Sequence, residues 1–333
     1  MTKIRRQRIL VTGAGGFIGS HLVERLIQDD CSVRGFIKYN SRSELGLLRF
    51  LPTDVLNRVE IFAGDLKDPY AVLRAVEGID LIFHLGALIA IPYSYLNPTD
   101  VVQTNVSGTM NILEAARKQN VRRVIHTSTS EVYGTAQYIP IDEAHPLQGQ
   151  SPYSASKIGA DKLVESYYRS YNLPVVTVRP FNTYGPRQSA RAIIPTIIVQ
   201  ALTMNVVRVG SLEPIRDFNY VSDTVNGLML AAQSDAVIGQ VINLGTGKEI
   251  SIGDLLEKII TIIGDEKEIE VLSQAERIRP IISEVMRLVA DTTKAKDLLK
   301  WQPQISLDTG LQRTIHWIQN NLDLYRKVDE YVV

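Results

Sequence analysis

Tyr153 and Lys157 are a pair of residues whose types and spacing point to chemistry. They lie in the segment SPYSASK, which begins at Ser151 and opens a predicted helix. A spacing of four residues places both side chains on one helical face, where an ammonium can lower the pKa of a phenol. A tyrosinate formed in this way can remove the proton of a hydroxyl group while a hydride leaves the carbon. Such a pair is common by chance, so the prediction depends on its neighbours.

A second group of polar residues, TSTSEVYG (Thr127–Gly134), follows the fifth predicted strand. Hydroxyl groups at the carboxyl end of a strand can share the proton of a substrate oxygen with Tyr153. Glu131 adds a carboxylate that hydride transfer alone does not require, which favours a role as an acid or a base. The alternative is that Glu131 is a loop residue that caps a turn.

The glycine-rich segment TGAGGFIG (Thr12–Gly19) lies between the first predicted strand and the first predicted helix. Gly13 permits a tight turn, Gly16 lets backbone N–H groups approach a diphosphate, and Gly19 lets the helix pack closely on the strand. Because the segment stands at the first strand–helix junction of the chain, it predicts a dinucleotide-binding loop. A tight turn without a ligand is the alternative.

The end of the second predicted strand, Phe36–Arg42, carries no carboxylate that could hold the adenosine ribose of NAD. Lys38 and Arg42 can instead neutralise a 2′-phosphate, so the sequence favours NADP, although both can equally be solvated cations. Asp65, after the third strand, is expected near the adenine amino group. It can also be read as the N-cap of a helix.

These motifs lie in a chain that alternates short β-branched segments with longer amphipathic ones. The predicted strands are Arg8–Val11, Ser32–Ile37, Val59–Phe62, Leu81–His84, Val124–His126 and Val175–Val178. The predicted helices between them are His21–Gln28, Tyr70–Val76, Val101–Lys118 and Ser154–Ser170. Such alternation indicates βαβ units, which form a parallel sheet with helices on both faces. We therefore predict an α/β fold with a Rossmann-type doubly wound parallel sheet.

The regular alternation stops after Pro180. One helix, Asp223–Ser234, and one strand, Val241–Asn243, are expected to rejoin the sheet. Helices near Ile252–Ile263 and Leu307–Asn321 would form a smaller lobe, with the substrate between the lobes. The predicted domains are a dinucleotide-binding domain and a smaller C-terminal α/β substrate lobe, at residues 1–185 plus about 217–245 and about 186–216 plus 246–333.

Length, charge and hydropathy exclude several classes of protein. A chain of 333 residues buries about 75% of its unfolded surface, and its single cysteine, Cys31, cannot form an internal disulfide. The 36 basic and 36 acidic residues cancel, so nothing in the charge favours nucleic acid or a membrane as the partner. No segment is apolar over the roughly 20 residues that cross a bilayer, and no Cys/His cluster has zinc-like spacing. We expect a cytoplasmic enzyme without a bound metal.

From about Gln7 to Ile318 the sequence resembles the extended short-chain dehydrogenase/reductase family. The motifs that carry the resemblance, in the family's order, are the glycine loop, TSTSEVYG, YSASK, RPFNTYGPRQ (Arg179–Gln188), RDFNYVSD (Arg216–Asp223) and Arg279–Pro280. Together they are typical of nucleotide-sugar enzymes. Within the family the chain is most similar to the N-acetylhexosamine 4,6-dehydratases of legionaminic-acid-type pathways, on the segments Ala87–Tyr95 and Gln148–Lys157.

The resemblance implies a role for each matching residue. Thr129 and Tyr153 would bind the sugar 4-hydroxyl group, Lys157 would hold the cofactor ribose, and Glu131 would be the base at C5. The expected contacts to the nucleotide sugar are Asn182, Arg216 and Arg279, with Arg187 and Arg191 as further candidates. Further cofactor contacts are expected from Phe17, Ile18, Leu66, Leu85, Ala87 and Asn105.

The implied reaction oxidises C4, removes the C5 proton, expels water from C6 and returns the hydride to C6. Because this reaction is redox-neutral overall, its NAD(P) would stay bound. The product is a 4-keto-6-deoxy sugar, and UDP-N-acetylglucosamine is the expected substrate, although the motifs leave UDP and GDP open. Helices Val101–Lys118 and Ser154–Ser170 match those that pair two family subunits through a four-helix bundle, so a homodimer is expected.

Two departures from the family patterns bear on the mechanism. Ser130 stands where dehydratases of thymidine-linked glucose carry Asp, so Glu131 is expected to act as both base and acid. The Asp and Lys that configuration-inverting hexosamine dehydratases place in this loop are absent, which favours retention at C5.

Three other functions remain open from the sequence. A UDP-glucuronate decarboxylase carries a similar Ser-Glu loop, but Leu88–Pro92 offers no cation for a C6 carboxylate. A 4-epimerase has no use for a base at C5. A non-catalytic dinucleotide-sensing module would keep the glycine loop, but it has no reason to retain Tyr153, Lys157 and Glu131 together.

Overall fold

The computed structural model describes residues 4–264, 269–274 and 280–325 of the chain. Its strands are β1 (Arg8–Thr12), β2 (Ser32–Lys38), β3 (Val59–Gly64), β4 (Leu81–His84), β5 (Arg123–Thr127), β6 (Val175–Pro180), β7 (Asn182–Tyr184), β8 (Val206–Val209), β9 (Ile215–Arg216), β10 (Phe218–Tyr220), β11 (Val241–Leu244), β12 (Ile250–Ser251), β13 (Glu270–Ser273) and β14 (Arg287–Leu288). The described residues form a parallel seven-stranded sheet in the order β11-β6-β5-β4-β1-β2-β3. The predicted Rossmann-type sheet is confirmed.

Helices connect the strands and cover both faces of the sheet. They are α1 (Phe17–Gln28), α2 (Thr53–Leu56), α3 (Pro69–Val76), α4 (Ile91–Leu96), α5 (Pro98–Val102), α6 (Gly108–Lys118), α7 (Pro152–Tyr171), α8 (Ile193–Thr203), α9 (Val221–Gln233), α10 (Ile252–Ile263), α11 (Thr293–Leu299) and α12 (Leu307–Gln319). The predicted helix Val101–Lys118 begins earlier, at Pro98, and contains a π-helical turn at Gln103–Ser107.

Successive residues of the central strands are buried on opposite faces of the sheet. In β1, Ile9 and Val11 join one core cluster and Leu10 joins another, and all three are fully buried. Side chains alternate along a strand, and a parallel sheet between two helical layers must bury both sets. This explains why the predicted strands are apolar throughout and do not alternate with polar residues.

One prediction for the chain beyond β6 is confirmed: a late strand rejoins the main sheet. Strand β11 returns to the edge of the main sheet beside β6, with Ile242 opposite Val178. The other late strands form small sheets of their own, in the orders β10-β7, β12-β9-β14 and β13-β8. The division into two domains stays a prediction. Among the described residues, no helix is long and apolar enough to cross a membrane.

Candidate active site

Strand order brings the predicted motifs to one edge of the sheet. Strands β1, β4, β5 and β6 are neighbours, so the loops at their carboxyl ends follow one another along this edge. The glycine loop follows β1, and the segment Thr127–Gly134 follows β5. In open α/β sheets, ligands bind outside the carboxyl ends of the strands.

The glycine loop has the geometry of an anion-binding turn. Gly13 has a φ of 69°, and a Cβ there would lie 2.9 Å from the Gly86 backbone nitrogen. A Cβ on Gly19 would overlap the Gly13 carbonyl oxygen. Helix α1 begins at Phe17 without a side-chain cap and without an acidic residue in its first turn. Its N–H groups and dipole therefore remain open to a diphosphate, and the loop fits a dinucleotide.

A cavity of about 150 Å³ lies beside this loop. Its walls include five residues predicted to bind the cofactor: Gly13, Lys38, Asp65, Leu66 and Ala87. Phe17 and Ile18 form the first turn of α1, and the Leu85 N–H donates to the Thr12 carbonyl oxygen at 3.2 Å. The structure thus gathers most of the predicted cofactor residues around the glycine loop, and their contact with a dinucleotide stays a prediction.

Two residues whose roles the sequence left open, Arg42 and Asp65, make local contacts. Arg42 is exposed and lies 3.5 Å from Glu44. Asp65 accepts a hydrogen bond from the Lys67 N–H at 2.9 Å, and the N-cap of α3 is Asp68. The interpretation of Asp65 as a helix N-cap is therefore wrong.

Asn105 uses its side chain within the protein. Its Oδ1 accepts from the Leu88 N–H, and its Nδ2 donates to the Leu88 carbonyl oxygen and to Ser156 Oγ. The amide thus fastens the loop after β4 to helix α7. This arrangement positions the loop, and a direct contact between Asn105 and a cofactor stays a prediction.

Tyr153 and Lys157 lie on one buried face of α7. The helix begins at Pro152 after a capping box, in which Ser151 and Ser154 exchange hydrogen bonds with each other's backbone N–H. Lys157 is 3% exposed, and its Nζ donates to the Thr127 carbonyl oxygen at 2.9 Å. The cap sets where the helix starts, and this places the two side chains against the end of β5.

The electrostatics of the pair differ from the sequence expectation. Burial lowers the pKa of Lys157 to about 8, and the charge of Asp161 opposes this effect. Burial raises the pKa of Tyr153, a hydrogen bond from Thr129 opposes the rise, and the charge of Glu131 adds to it. The expected depression of the phenol pKa by Lys157 is therefore not what the chain shows. Desolvation of a buried phenol outweighs the charges around it.

Glu131 lies in a short 3₁₀ turn, Ser130–Tyr133, that follows β5. Thr129 caps this turn by accepting the Glu131 N–H at 3.2 Å, so the alternative in which Glu131 is the capping residue is wrong. The Glu131 side chain is half-buried, and its charge acts on the Tyr153 phenol. The turn thus brings a hydroxyl, a carboxylate and a phenol together.

The structure describes two of the three main residues predicted to bind the nucleotide sugar. Asn182 pairs with Phe218, two residues after Arg216, and its buried Oδ1 has no hydrogen-bond partner. Arg216 is buried and donates to Glu284 at 3.3 Å. Arg279 lies outside the described residues. These positions support a polar site for the substrate around β7, β9 and β10.

Arg187 and Arg191 were the further candidates for a contact with the substrate. Arg187 has a positive φ of 69° and donates to Glu24 of α1 at 2.7 Å. Its Nε and Nη1 are buried without a partner. Arg191 is exposed. The ion pair with Glu24 turns Arg187 towards α1, so its contact with a substrate stays a prediction.

Sequence reasoning missed a group of buried polar residues behind the catalytic face. Asp161, His126 and Arg179 are at most 5% exposed and are connected by hydrogen bonds. The available signal was the position of Asp161, one helical turn after Lys157.

A second, larger cavity is not lined by the predicted catalytic residues. The larger cavity, of about 860 Å³, is lined by α7, β6 and β11 residues, among them Asp161, Arg179 and Lys294. Tyr153, Lys157 and Glu131 do not line it. The chemistry-bearing residues therefore identify the site better than the size of a cavity does.

Comparison with known proteins decides the family. A sequence model described as GDP-mannose 4,6 dehydratase matches residues 10–314. The chain belongs to this dehydratase family. The resemblance to extended short-chain dehydrogenases/reductases is thereby confirmed at the family level.

Individual members of the family differ in the activity that their names give. The UDP-glucose 4-epimerase of Mycolicibacterium smegmatis is 34% identical, over 94% of this chain and 99% of the relative. The UDP-glucuronic acid decarboxylase 1 of Xenopus tropicalis is 32% identical, over 96% of this chain and 73% of the relative. The family therefore includes dehydratase, epimerase and decarboxylase relatives, and membership does not choose among them.

A solved structure supports the same assignment. The dTDP-glucose 4,6-dehydratase DesIV of Streptomyces venezuelae, solved with NAD bound, is 29% identical with a TM-score of 0.86. The match covers 96% of this chain and 99% of that structure. This chain is thus an enzyme of the nucleotide-sugar dehydratase and epimerase family, whose characterised relatives bind NAD.

Proposed function

We propose that this enzyme catalyses the 4,6-dehydration of a nucleotide-linked N-acetylhexosamine, with UDP-N-acetylglucosamine as its substrate. One observation carries the proposal: the charge of Glu131 and the hydroxyl group of Thr129 both act on the buried phenol of Tyr153, and Thr129 accepts the Glu131 N–H. An epimerase needs the phenol and the hydroxyl group but no carboxylate. A dehydratase needs all three, because a proton must leave C5 after C4 has become a ketone.

Each step of the proposed reaction uses a group of this chain. The Tyr153 Oη removes the proton of the sugar 4-hydroxyl group while the Thr129 hydroxyl holds the same oxygen. A bound nicotinamide dinucleotide supplies the hydride acceptor for C4 and the hydride donor for C6. The Glu131 carboxylate removes the C5 proton, which the C4 ketone has acidified, and water leaves from C6. The sugar loses one water and becomes a 4-keto-6-deoxy sugar.

Ser130 supports a double role for Glu131. Ser130 is buried and carries no acidic group, so the protonated Glu131 is the acid available in this turn for the departing C6 hydroxyl. The proton taken from C5 then leaves with the water. When the hydride reaches C6, Glu131 delivers a proton to C5, having regained through solvent the proton that Tyr153 took from the 4-hydroxyl group. We propose that the configuration at C5 is retained, because the same carboxylate removes and returns the proton on one face of the sugar.

We propose that Asn182 and Arg216 hold the nucleotide diphosphate, together with Arg279. The buried guanidinium of Arg216, which can neutralise a diphosphate and lies two residues before Phe218, the strand partner of Asn182, supports this role. On the cofactor side, Lys38 lines the cavity of the adenosine end and supports NADP as the cofactor. Because the names of two relatives give NAD as their cofactor, the preference of this chain for NADP needs a direct binding measurement.

We further propose that two copies of the chain pair through α5, α6 and α7. Helices α5 and α6 pack on α7. Val102 of α5 is 45% exposed and Met110 of α6 is 41% exposed. Large apolar side chains exposed on neighbouring helices favour burial against a second copy.

Incubation of the purified enzyme with UDP-N-acetylglucosamine tests the proposed function. We expect a product whose mass is lower by one water, with no net change in nicotinamide absorbance. A product of unchanged mass would instead indicate an epimerase. Loss of carbon dioxide from UDP-glucuronate would indicate a decarboxylase, and the absence of turnover on every nucleotide sugar would favour the sensing module.

A further inference from the structure

Asp161 is a buried carboxylate with no role in the proposed steps. It lies on α7, one turn after Lys157, and is 5% exposed. Its Oδ2 accepts from Ser128 Oγ at 2.9 Å and from Arg179 Nη2 and Nε at 2.9 and 3.1 Å. Its Oδ1 lies 3.2 Å from His126 Nε2. A carboxylate buried at this depth needs such a set of donors, and these donors come from two neighbouring strands.

These hydrogen bonds join the elements that carry the catalytic residues. Ser128 directly precedes Thr129, and its N–H donates to the Val178 carbonyl oxygen of β6 at 2.7 Å. Arg179 belongs to β6, and its Nη1 donates to the Tyr133 hydroxyl at 2.9 Å. Asp161 therefore connects α7, which carries Tyr153, to both ends of the turn that carries Glu131.

The other ionisable groups that face Lys157 bring no negative charge to it. Thr109 donates to the Asn105 carbonyl oxygen at 2.6 Å, so its hydroxyl accepts from His84 Nε2. This leaves His84 Nδ1 to accept from Thr12, which fixes the ring in its neutral form. Burial lowers the pKa of His84 and of His126, and Arg179 is paired with Asp161. Among the described residues, Asp161 is the charge that raises the pKa of Lys157.

We propose that Asp161 is a positioning residue of the active site, whose carboxylate holds the Lys157 ammonium in its charged form and fixes the end of β5 against α7. This inference rests on the proposed function, because it assigns Lys157 and Thr129 to that reaction. The pKa effects support it: the charge of Asp161 raises the pKa of Lys157 and also that of Tyr153. Asp161 thus extends to higher pH the range in which the Lys157 ammonium is present.

The pH dependence of kcat/KM in Asp161→Asn tests this role. We expect the alkaline limb, near pH 8 in the wild type, to move to lower pH by about one unit or more, because the ammonium loses the neighbouring charge. Activity at pH 6 would then fall much less than activity at pH 8. A loss by the same factor at every pH would indicate a purely structural role and would overturn the proposal.

Two further variants separate charge from folding. Asp161→Asn/Arg179→Gln removes the cation that the single variant leaves unpaired, and it should recover thermal stability while keeping the shifted pH profile. Ser128→Ala removes one hydrogen bond and leaves the carboxylate charged, so its alkaline limb should stay in place. If the double variant is stable and its alkaline limb coincides with that of the wild type, the proposal is wrong.

Direct titration of Lys157 makes the test independent of the sugar reaction. In protein labelled with ¹³C at lysine Cε, the Lys157 signal is assigned as the one that Lys157→Arg removes. We expect it to titrate near pH 8 in the wild type and at lower pH in Asp161→Asn. An unchanged titration would overturn the proposal. A shifted titration in a protein without dehydratase activity would retain it and reject the proposed function.

Discussion

At the scale of residues, the half-buried Glu131 and the buried Tyr153 lie in different surroundings, which suits the two proton transfers proposed for them. The phenol lies deep enough that burial raises its pKa, whereas the carboxylate stands in a turn at the rim of the sheet. Groups in such different surroundings can perform different proton transfers at one pH. The separation of C4 chemistry from C5 chemistry can therefore be tested one residue at a time.

Glu131→Gln should lower the rate of water loss by about 10²- to 10⁴-fold, because an amide cannot accept the C5 proton. Oxidation at C4 should continue, and reduced nicotinamide should accumulate and be visible at 340 nm. Glu165→Gln changes another carboxylate of α7, one that pairs with Lys162 and Arg169; it is the matched control and should behave as the wild type. Dehydration at a near wild-type rate in Glu131→Gln would remove this residue from the mechanism.

Lys157→Met should abolish activity and yet stabilise the fold by about 2 kcal/mol at pH 7, because a buried ammonium is costly. The folded pKa of Lys157, about 8, lies below its ordinary value of 10.5. The cost is therefore complete below pH 8 and disappears between pH 8 and 10.5, as the folded protein loses its proton first. Urea unfolding at pH 7 and pH 10.5 measures the difference. An equal gain at both pH values would contradict this explanation.

Lys38→Ala should weaken NADP binding about tenfold or more and leave NAD binding within about twofold, because only NADP carries the 2′-phosphate that this ammonium can neutralise. Arg42→Ala is the comparison, since Arg42 is already near Glu44. Calorimetric titration of cofactor-free protein with each dinucleotide measures both affinities. Equal losses for NAD and NADP would show that Lys38 does not discriminate between them.

At the scale of elements, the β1–α1 turn is the most tightly constrained part of the site. Gly13 combines a positive φ with a backbone approach to the loop after β4, so no other residue fits without a shift. Gly264, which ends α10, has almost the same φ of 68° but no atom within 4 Å of the position of a Cβ. A substitution at Gly264 therefore measures the free-energy cost of a positive φ alone, whereas one at Gly13 adds the steric clash of a Cβ with the loop after β4.

Gly13→Ala should lose stability and also lose most of its cofactor affinity, because the new methyl group displaces the loop after β4. Gly264→Ala should lose only about 1 kcal/mol, the usual cost of a left-handed conformation in a residue with a Cβ. Thermal unfolding with and without NAD compares the two variants. If NAD stabilises both variants equally, the glycine loop is not the cofactor site.

At the scale of the whole molecule, the apolar residues exposed on α5 and α6 lead to a prediction about assembly. Met110→Glu should convert the proposed dimer into a monomer at micromolar concentration, because a charge would be buried in the proposed interface. Tyr70→Glu changes an exposed apolar residue of α3 and should leave the mass unchanged. Light scattering measures the mass, and a monomeric wild type would contradict the proposed pairing.

The sequence was sufficient for the order of the main strands and helices and for the groups that bear the chemistry. Leu81–His84 and Ile252–Ile263 have the predicted ends, and β11 rejoins the main sheet as expected. Such elements are predictable because apolar periodicity and glycine placement are local properties of the chain. Cap residues were less predictable: Asp68, not Asp65, starts α3, since several nearby carboxylates can satisfy the same N–H groups.

What the sequence by itself determined is therefore which reactive groups follow which strand. Only the tertiary structure decided which distant groups meet: Arg187 turns to Glu24, 163 positions away, and Asp161 gathers donors from two strands. It also decided that burial, more than the Lys157 charge, governs the pKa of Tyr153. The reason is physical, because ion pairs and desolvation depend on strand order and packing between remote segments, which no local pattern records.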